Sequence, residues 1–308
     1  MAAIPPPSSP PHPPLDRPER PAGAPVRERR PALPGWPAWT APVALLSGLL
    51  VILLLGGVIS VAVGAADPQA DPADQPAALA LGLTVLQNVV LVAAAIGFAW
   101  SVSRPWPRDF GLRATRFLPG LGWAALAIAV FLAVAVVLTL ALGVEQQQSS
   151  ENVLESLGVN QGAVSFALAA LLVCVLVPVS EEVFFRGYFF TALRSRFRVG
   201  AAAAMAGVTF GAMHLLNFFT PGTSWQEGVV GIVALSVFGV ALCLLYWRTG
   251  SLYPCIGAHA FNNTLTFSIT SGVTALGGLA LLAGVAVITA LLLVPLQRLR
   301  PGPAPAPA

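Results

Sequence analysis

The chain has 308 residues, 56% of them hydrophobic and 9% charged, with a mean hydropathy of +0.79 and a formal net charge of +3. A soluble globular domain carries about a quarter charged residues, so this composition excludes that class and points to a polytopic membrane protein with no nucleic-acid partner. All 16 basic residues are arginines, and the three cysteines, Cys174, Cys243 and Cys255, stand singly in apolar segments, which suggests neither a disulfide framework nor a thiolate metal site.

Residues 1–38 are rich in proline and arginine and lack an apolar leader core, so a disordered cytoplasmic tail is expected there. Three apolar stretches follow within residues 39–162, at 42–63, 78–100 and 119–143, each near the length of about 20 residues that crosses a bilayer. Four more, at 168–192, 199–217, 228–247 and 251–270, make up a unit at 163–270. An eighth, 273–296, defines a C-terminal membrane helix within 271–300, and 301–308 is a second disordered tail. The expected fold is all-α, with about eight transmembrane helices.

Loop charges orient these spans. Arg27, Arg29, Arg30, Arg104, Arg108, Arg113, Arg116, Arg194, Arg196, Arg198, Arg248, Arg298 and Arg300 fall on alternate loops and ends. The other loops carry Asp67, Asp71, Asp74, Glu145, Glu151, Glu155 and Glu227 and no arginine. The positive-inside rule then places both termini in the cytoplasm.

Within the spans the only acidic residues are Glu181 and Glu182 and the only histidines are His214 and His259. Charge inside a bilayer costs about 2.5–3.5 kcal/mol on insertion scales, so such residues need a partner or a function. At about 1.5 Å per residue, Glu181 lies roughly 17 Å, His214 roughly 22 Å and His259 roughly 12–15 Å from the cytoplasmic ends of their helices, a similar depth. Glu182 and Arg186 stand at i and i+4, the acid-first order of an ion pair, which leaves Glu181 free. Phe210 precedes His214 by one turn and Asn263 follows His259 by one turn, so each pair shares a helix face. Pro178 is expected to loosen its helix and free a carbonyl. Gly207 and Gly211 form a small-residue pair expected to bring the fifth span close to the fourth.

EEVFFR at 181–186, FGAMH at 210–214 and HAFNN at 259–263 occur in this order on three helices. They resemble the EExxxR, FxxxH and HxxxN motifs of the CPBP family of intramembrane proteases, which includes type II CAAX prenyl endopeptidases and bacterial Abi proteins. The resemblance covers about residues 163–270 and identifies that unit as a protease core. It implies that Glu181 and His214 act on water and that His259 and Asn263 face the scissile carbonyl, with Glu182, Arg186 and Phe210 in support.

The residues themselves fit that division, since peptide hydrolysis needs an activated water, a proton donor for the leaving amine and a clamp for the oxyanion. A zinc version is also open, because Glu181, His214 and His259 form a known three-ligand set, and some of the family are called metalloproteases. The reading preferred here takes Glu181 as the direct base, with no cofactor. The substrate is then a membrane-embedded or lipid-anchored peptide or protein, and the bacterial plasma membrane is the expected location. Two alternatives stand beside it. One is a proton- or ion-coupled transporter using the same groups as a relay, against which the absence of a second motif copy in residues 42–143 counts. The other is a non-catalytic immunity or scaffold protein.

Overall fold

The computed structural model describes residues 33–66, 77–144, 148–215 and 222–299. In chain order its helices are α1 (Thr40–Ala66), α2 (Ala77–Val102), α3 (Phe117–Leu142), α4 (Gln148–Ser156), α5 (Ala163–Leu193), α6 (Val199–Met213), α7 (Trp225–Thr249), α8 (Tyr253–Thr270) and α9 (Ala275–Leu293). No strand occurs among the described residues, so the fold is all-α. Six helices, α1, α2, α3, α5, α7 and α9, are long and apolar enough to cross a membrane. The protein is an integral membrane protein.

Each of the eight expected spans coincides with one of these helices, but two of them differ from the simple picture of full crossings. α6 has 15 residues, or about 22 Å at 1.5 Å per residue, short of the roughly 30 Å hydrocarbon layer. α8 has 18 residues and is not among the six, because histidine, asparagine, serine and threonine interrupt its apolar run. α6 ends at the residue before His214, and α8 carries His259. α4 lies where a loop was expected. Nine residues with a polar average give little span signal, yet Leu154, with Leu157 and Val159 just beyond the helix, packs in a cluster with Ala169 and Phe267.

α5 and α7 are the most buried spans and α1 the least, so α5 and α7 form the centre of the bundle. The glycine pair in α6 faces α7, not α5. A Cβ on Gly207 would stand 2.6 Å from the Val240 backbone nitrogen and one on Gly211 2.6 Å from the Ile232 carbonyl oxygen, while a Cβ on Gly239 would meet the Gly207 Cα at 2.7 Å. The α6–α7 backbones approach this closely because glycine meets glycine at the crossing.

One end of the bundle is tied together by its connections. Trp36 is 1% exposed and packs on Phe110 and Tyr188, at ring separations of 5.1 and 5.4 Å. The expected tail 1–38 therefore enters the core near its end; residues 1–32 lie outside the described residues. The Arg113 side chain donates to the Gly250 carbonyl at 2.7 Å, and the Leu252 backbone N–H donates to the Gly111 carbonyl at 2.8 Å. The 103–116 connection, the 249–253 turn and the start of α1 thus share one end, as alternating spans require.

Gly207→Ala is expected to cost about 1–3 kcal/mol through the α6–α7 contact, read as a lower thermal midpoint in detergent. Gly57→Ala, at a position with nothing within 4 Å of the new Cβ, is expected to stay within about 0.5 kcal/mol of the parent.

Candidate active site

α5 is not a uniform helix. Its backbone widens to π-helical turns at Leu172–Leu176 and again at Val183–Phe190, with an α-helical stretch, Val177–Glu182, between them. Proline explains part of this. The Val177 N–H reaches back five residues to the Leu172 carbonyl, and the next donor in that pattern would be Pro178, which has no N–H. The Val173 carbonyl is thereby left over, and Asn263 Nδ2 of α8 donates to it at 3.0 Å. The carbonyl freed by proline thus fastens α8 to α5.

The two glutamates at the end of the α-helical stretch have different surroundings. Glu182 is fully buried, and its Oε1 accepts from Arg186 Nη1 at 2.8 Å and from His259 Nδ1 at 2.9 Å. Arg186, also fully buried, donates from Nη2 to the Gly239 carbonyl of α7 at 3.2 Å. One carboxylate oxygen thus joins α5 to α8 directly and to α7 through the arginine. Glu181 is 5% exposed, and its Oε2 has no hydrogen-bond partner among the described residues. It lies 3.9 Å from His259 Nε2. Because Glu182 accepts the Nδ1–H hydrogen bond of His259, the other ring nitrogen is the one turned to Glu181.

Phe210 gathers the remaining groups. The Arg186 guanidinium carbon lies 4.5 Å from its ring centroid, a cation–π contact. The His214 ring is 4.9 Å away, and the His259 ring meets it edge-on at 5.8 Å. His214 sits at the end of α6, where its backbone N–H bonds to Gly211 in place of Phe210. Its Nδ1 donates to the Phe210 carbonyl at 2.8 Å, capping the last turn and leaving Nε2 as the free lone pair.

The sequence-selected residues therefore converge in part. Glu181, Glu182, Arg186, Phe210 and His259 form one continuous contact set. His214 joins it through Phe210, and Asn263 bonds to a backbone carbonyl near the start of α5. No group of three or more His, Cys, Asp or Glu side chains among the described residues is arranged to hold a metal ion. As the side chains stand, Glu181, His214 and His259 do not present a three-donor zinc set.

The charge inventory did not single out one neighbouring pair. Asn88 of α2 is 1% exposed and accepts a hydrogen bond at Oδ1 from Ser180, the residue before Glu181. A carboxamide inside an apolar run was the available signal, and a search for ionisable groups passes over it.

Residues 163–265, about a third of the chain, match the family model described as Type II CAAX prenyl endopeptidase Rce1-like. The match starts at the first residue of α5, contains all three motifs and agrees with the resemblance drawn from them. No curated protein and no solved structure matches the chain.

Glu182→Gln is expected to lower stability by about 3–5 kcal/mol, because it leaves the buried Arg186 charge without a counter-charge. Glu182→Gln with Arg186→Met, which removes both charges, is expected to recover most of that loss. Thermal unfolding of the parent and the two variants in one detergent measures both.

Proposed function

We propose that this protein, with an Rce1-like core over residues 163–265, is an intramembrane endopeptidase that hydrolyses a membrane-embedded or lipid-anchored peptide, with Glu181 as the base that activates water. The supporting observation is the contrast between the two glutamates. Glu182 Oε1 is held by Arg186 and His259 and its carboxylate is paired with the arginine, although its Oε2 has no donor, whereas Glu181 Oε2 is buried, receives no hydrogen bond and lies 3.9 Å from a ring nitrogen. Burying a carboxylate with neither a donor to its inner oxygen nor a bonded arginine is unfavourable, so Glu181, unlike the arginine-paired Glu182, calls for a reacting partner that stability does not supply.

In this reading water is placed beside Glu181 and His259. Glu181 Oε2 takes a proton from it as the oxygen attacks the scissile carbonyl carbon. The C–N bond then breaks as the proton passes to the departing amine, giving a carboxylic acid and an amine. His214 adds a second acceptor through Nε2, since Nδ1 is held by the Phe210 carbonyl. His259 stabilises the oxyanion when its Nε2 carries a proton. Asn263 has a second N–H beyond the one given to Val173, and that N–H serves the same oxyanion. No step passes through a metal.

Glu181→Gln is expected to lower kcat by about 10²–10⁴-fold with folding unchanged. Asn263→Ala is expected to lower it by about 10²–10³-fold with little change in KM. A fluorogenic peptide assay on purified protein, with elemental analysis and with and without a chelator, measures both. Wild-type turnover by Glu181→Gln overturns the assignment. Loss of activity on chelation, restored only by added zinc, replaces the direct glutamate base with a metal mechanism.

A further inference from the structure

Asn88 lies in α2, outside the segment that matches the protease family, yet it reaches the residue beside the proposed base. Its hydrogen bonds fix its orientation. The Thr84 carbonyl can only accept, so the group 2.7 Å from it is Asn88 Nδ2, as the donor. Oδ1 is then turned to Ser180, and the single hydroxyl proton of Ser180 is the donor in that contact. The Leu176 carbonyl, 2.7 Å from the same hydroxyl, is its alternative acceptor.

Ser180 and Glu181 are consecutive, so they point about 100° apart around α5. One meets α2 and the other meets His259 on α8. The stretch Val177–Glu182 is bounded on both sides by π-helical turns, where the backbone ladder that fixes a helix's rotation changes register. Side-chain bonds to neighbouring helices then hold its rotation: Glu182 to His259 of α8 on one face, and Ser180 to Asn88 of α2 on the opposite face.

We propose that Asn88 is a positioning residue: by holding Ser180 it sets the rotation of Val177–Glu182 and so aims Glu181 at His259. Its catalytic consequence rests on the reading of Glu181 as base. α2 is on this account part of the active-site frame, and the matched segment alone lacks that constraint.

The test uses the full chain with Asn88→Leu, Ser180→Ala, the double variant and, as control, Ser101→Ala on an exposed position of α2. Asn88→Leu keeps the heavy-atom count and branching of the side chain and leaves Ser180 the Leu176 carbonyl, so the thermal midpoint is expected to stay within about 3 °C of the parent. The chain has three histidines, His12, His214 and His259, so ¹⁵N spectra of histidine-labelled protein report the His259 ring without needing catalysis. The His259 ring resonances are expected to move in both single variants and not in the control. In the peptidase assay kcat is expected to fall at least about 10-fold with KM within about 2-fold, and the double variant to be no worse than the worse single.

An unchanged His259 spectrum overturns the positioning role whatever the activity. Shifted resonances with wild-type kcat overturn its catalytic consequence. Activity lost only in proportion to folded protein reduces the pair to packing. Shifted resonances in a protein that cleaves no peptide uphold the positioning and count against the protease reading instead. If Asn88→Leu fails to accumulate, Ser180→Ala carries the same comparison.

Discussion

The site depends on one carboxylate oxygen. Glu182 Oε1 receives the Arg186 guanidinium from its own helix and the His259 ring from α8, and Arg186 continues to the backbone of α7. Three helices are thereby held in register by hydrogen bonds to charged groups, in surroundings without competing solvent, where such bonds are stronger and their loss more costly. A fully buried ion pair is weak evidence for stability in itself, since apolar residues can often replace it without loss. Its value here is directional, because it fixes which nitrogen of His259 is turned toward Glu181.

The second constraint is close backbone approach. Glycine at 207, 211 and 239 lets α6 lie against α7, which brings Phe210 over the Arg186 guanidinium and His214 beside Phe210. Between lipid-exposed helices, packing of small residues supplies contact that the hydrophobic effect does not. The polar cluster and the glycine crossing therefore support each other: one fixes α5 and α8 relative to α7, and the other fixes α6.

Much of this was legible in the chain. Apolar runs of about the right length mark the expected spans, and five ionisable side chains inside them, Glu181, Glu182, Arg186, His214 and His259, mark the cluster, because both signals come directly from the cost of charge in hydrocarbon. What was not legible depends on three-dimensional partners. The glycine pair shows that α6 packs closely but not against which helix. Pro178 shows that a carbonyl is freed but not that Asn263 takes it. α4 is too short and too polar to register as a span, and Asn88 is one uncharged residue in an apolar helix, with no motif around it. The acid-first spacing correctly paired Glu182 with Arg186, while the further bond from His259 to the same oxygen needed the fold.

The shortness of α6 has a consequence for the surrounding lipid. A helix of 15 residues is about 22 Å long, shorter than the roughly 30 Å hydrocarbon layer, and the chain leaves α-helical geometry at His214. Irregular backbone at that depth persists only against protein or beside water, and a short apolar helix is otherwise matched by local thinning of the membrane. Either response shortens the path from the aqueous phase to the depth of His214. Under the proposed hydrolase reading, water must reach the site from outside the hydrocarbon, and the short α6 offers such a path. Acyl-chain length in the host membrane thereby becomes a determinant of how readily the site is wetted.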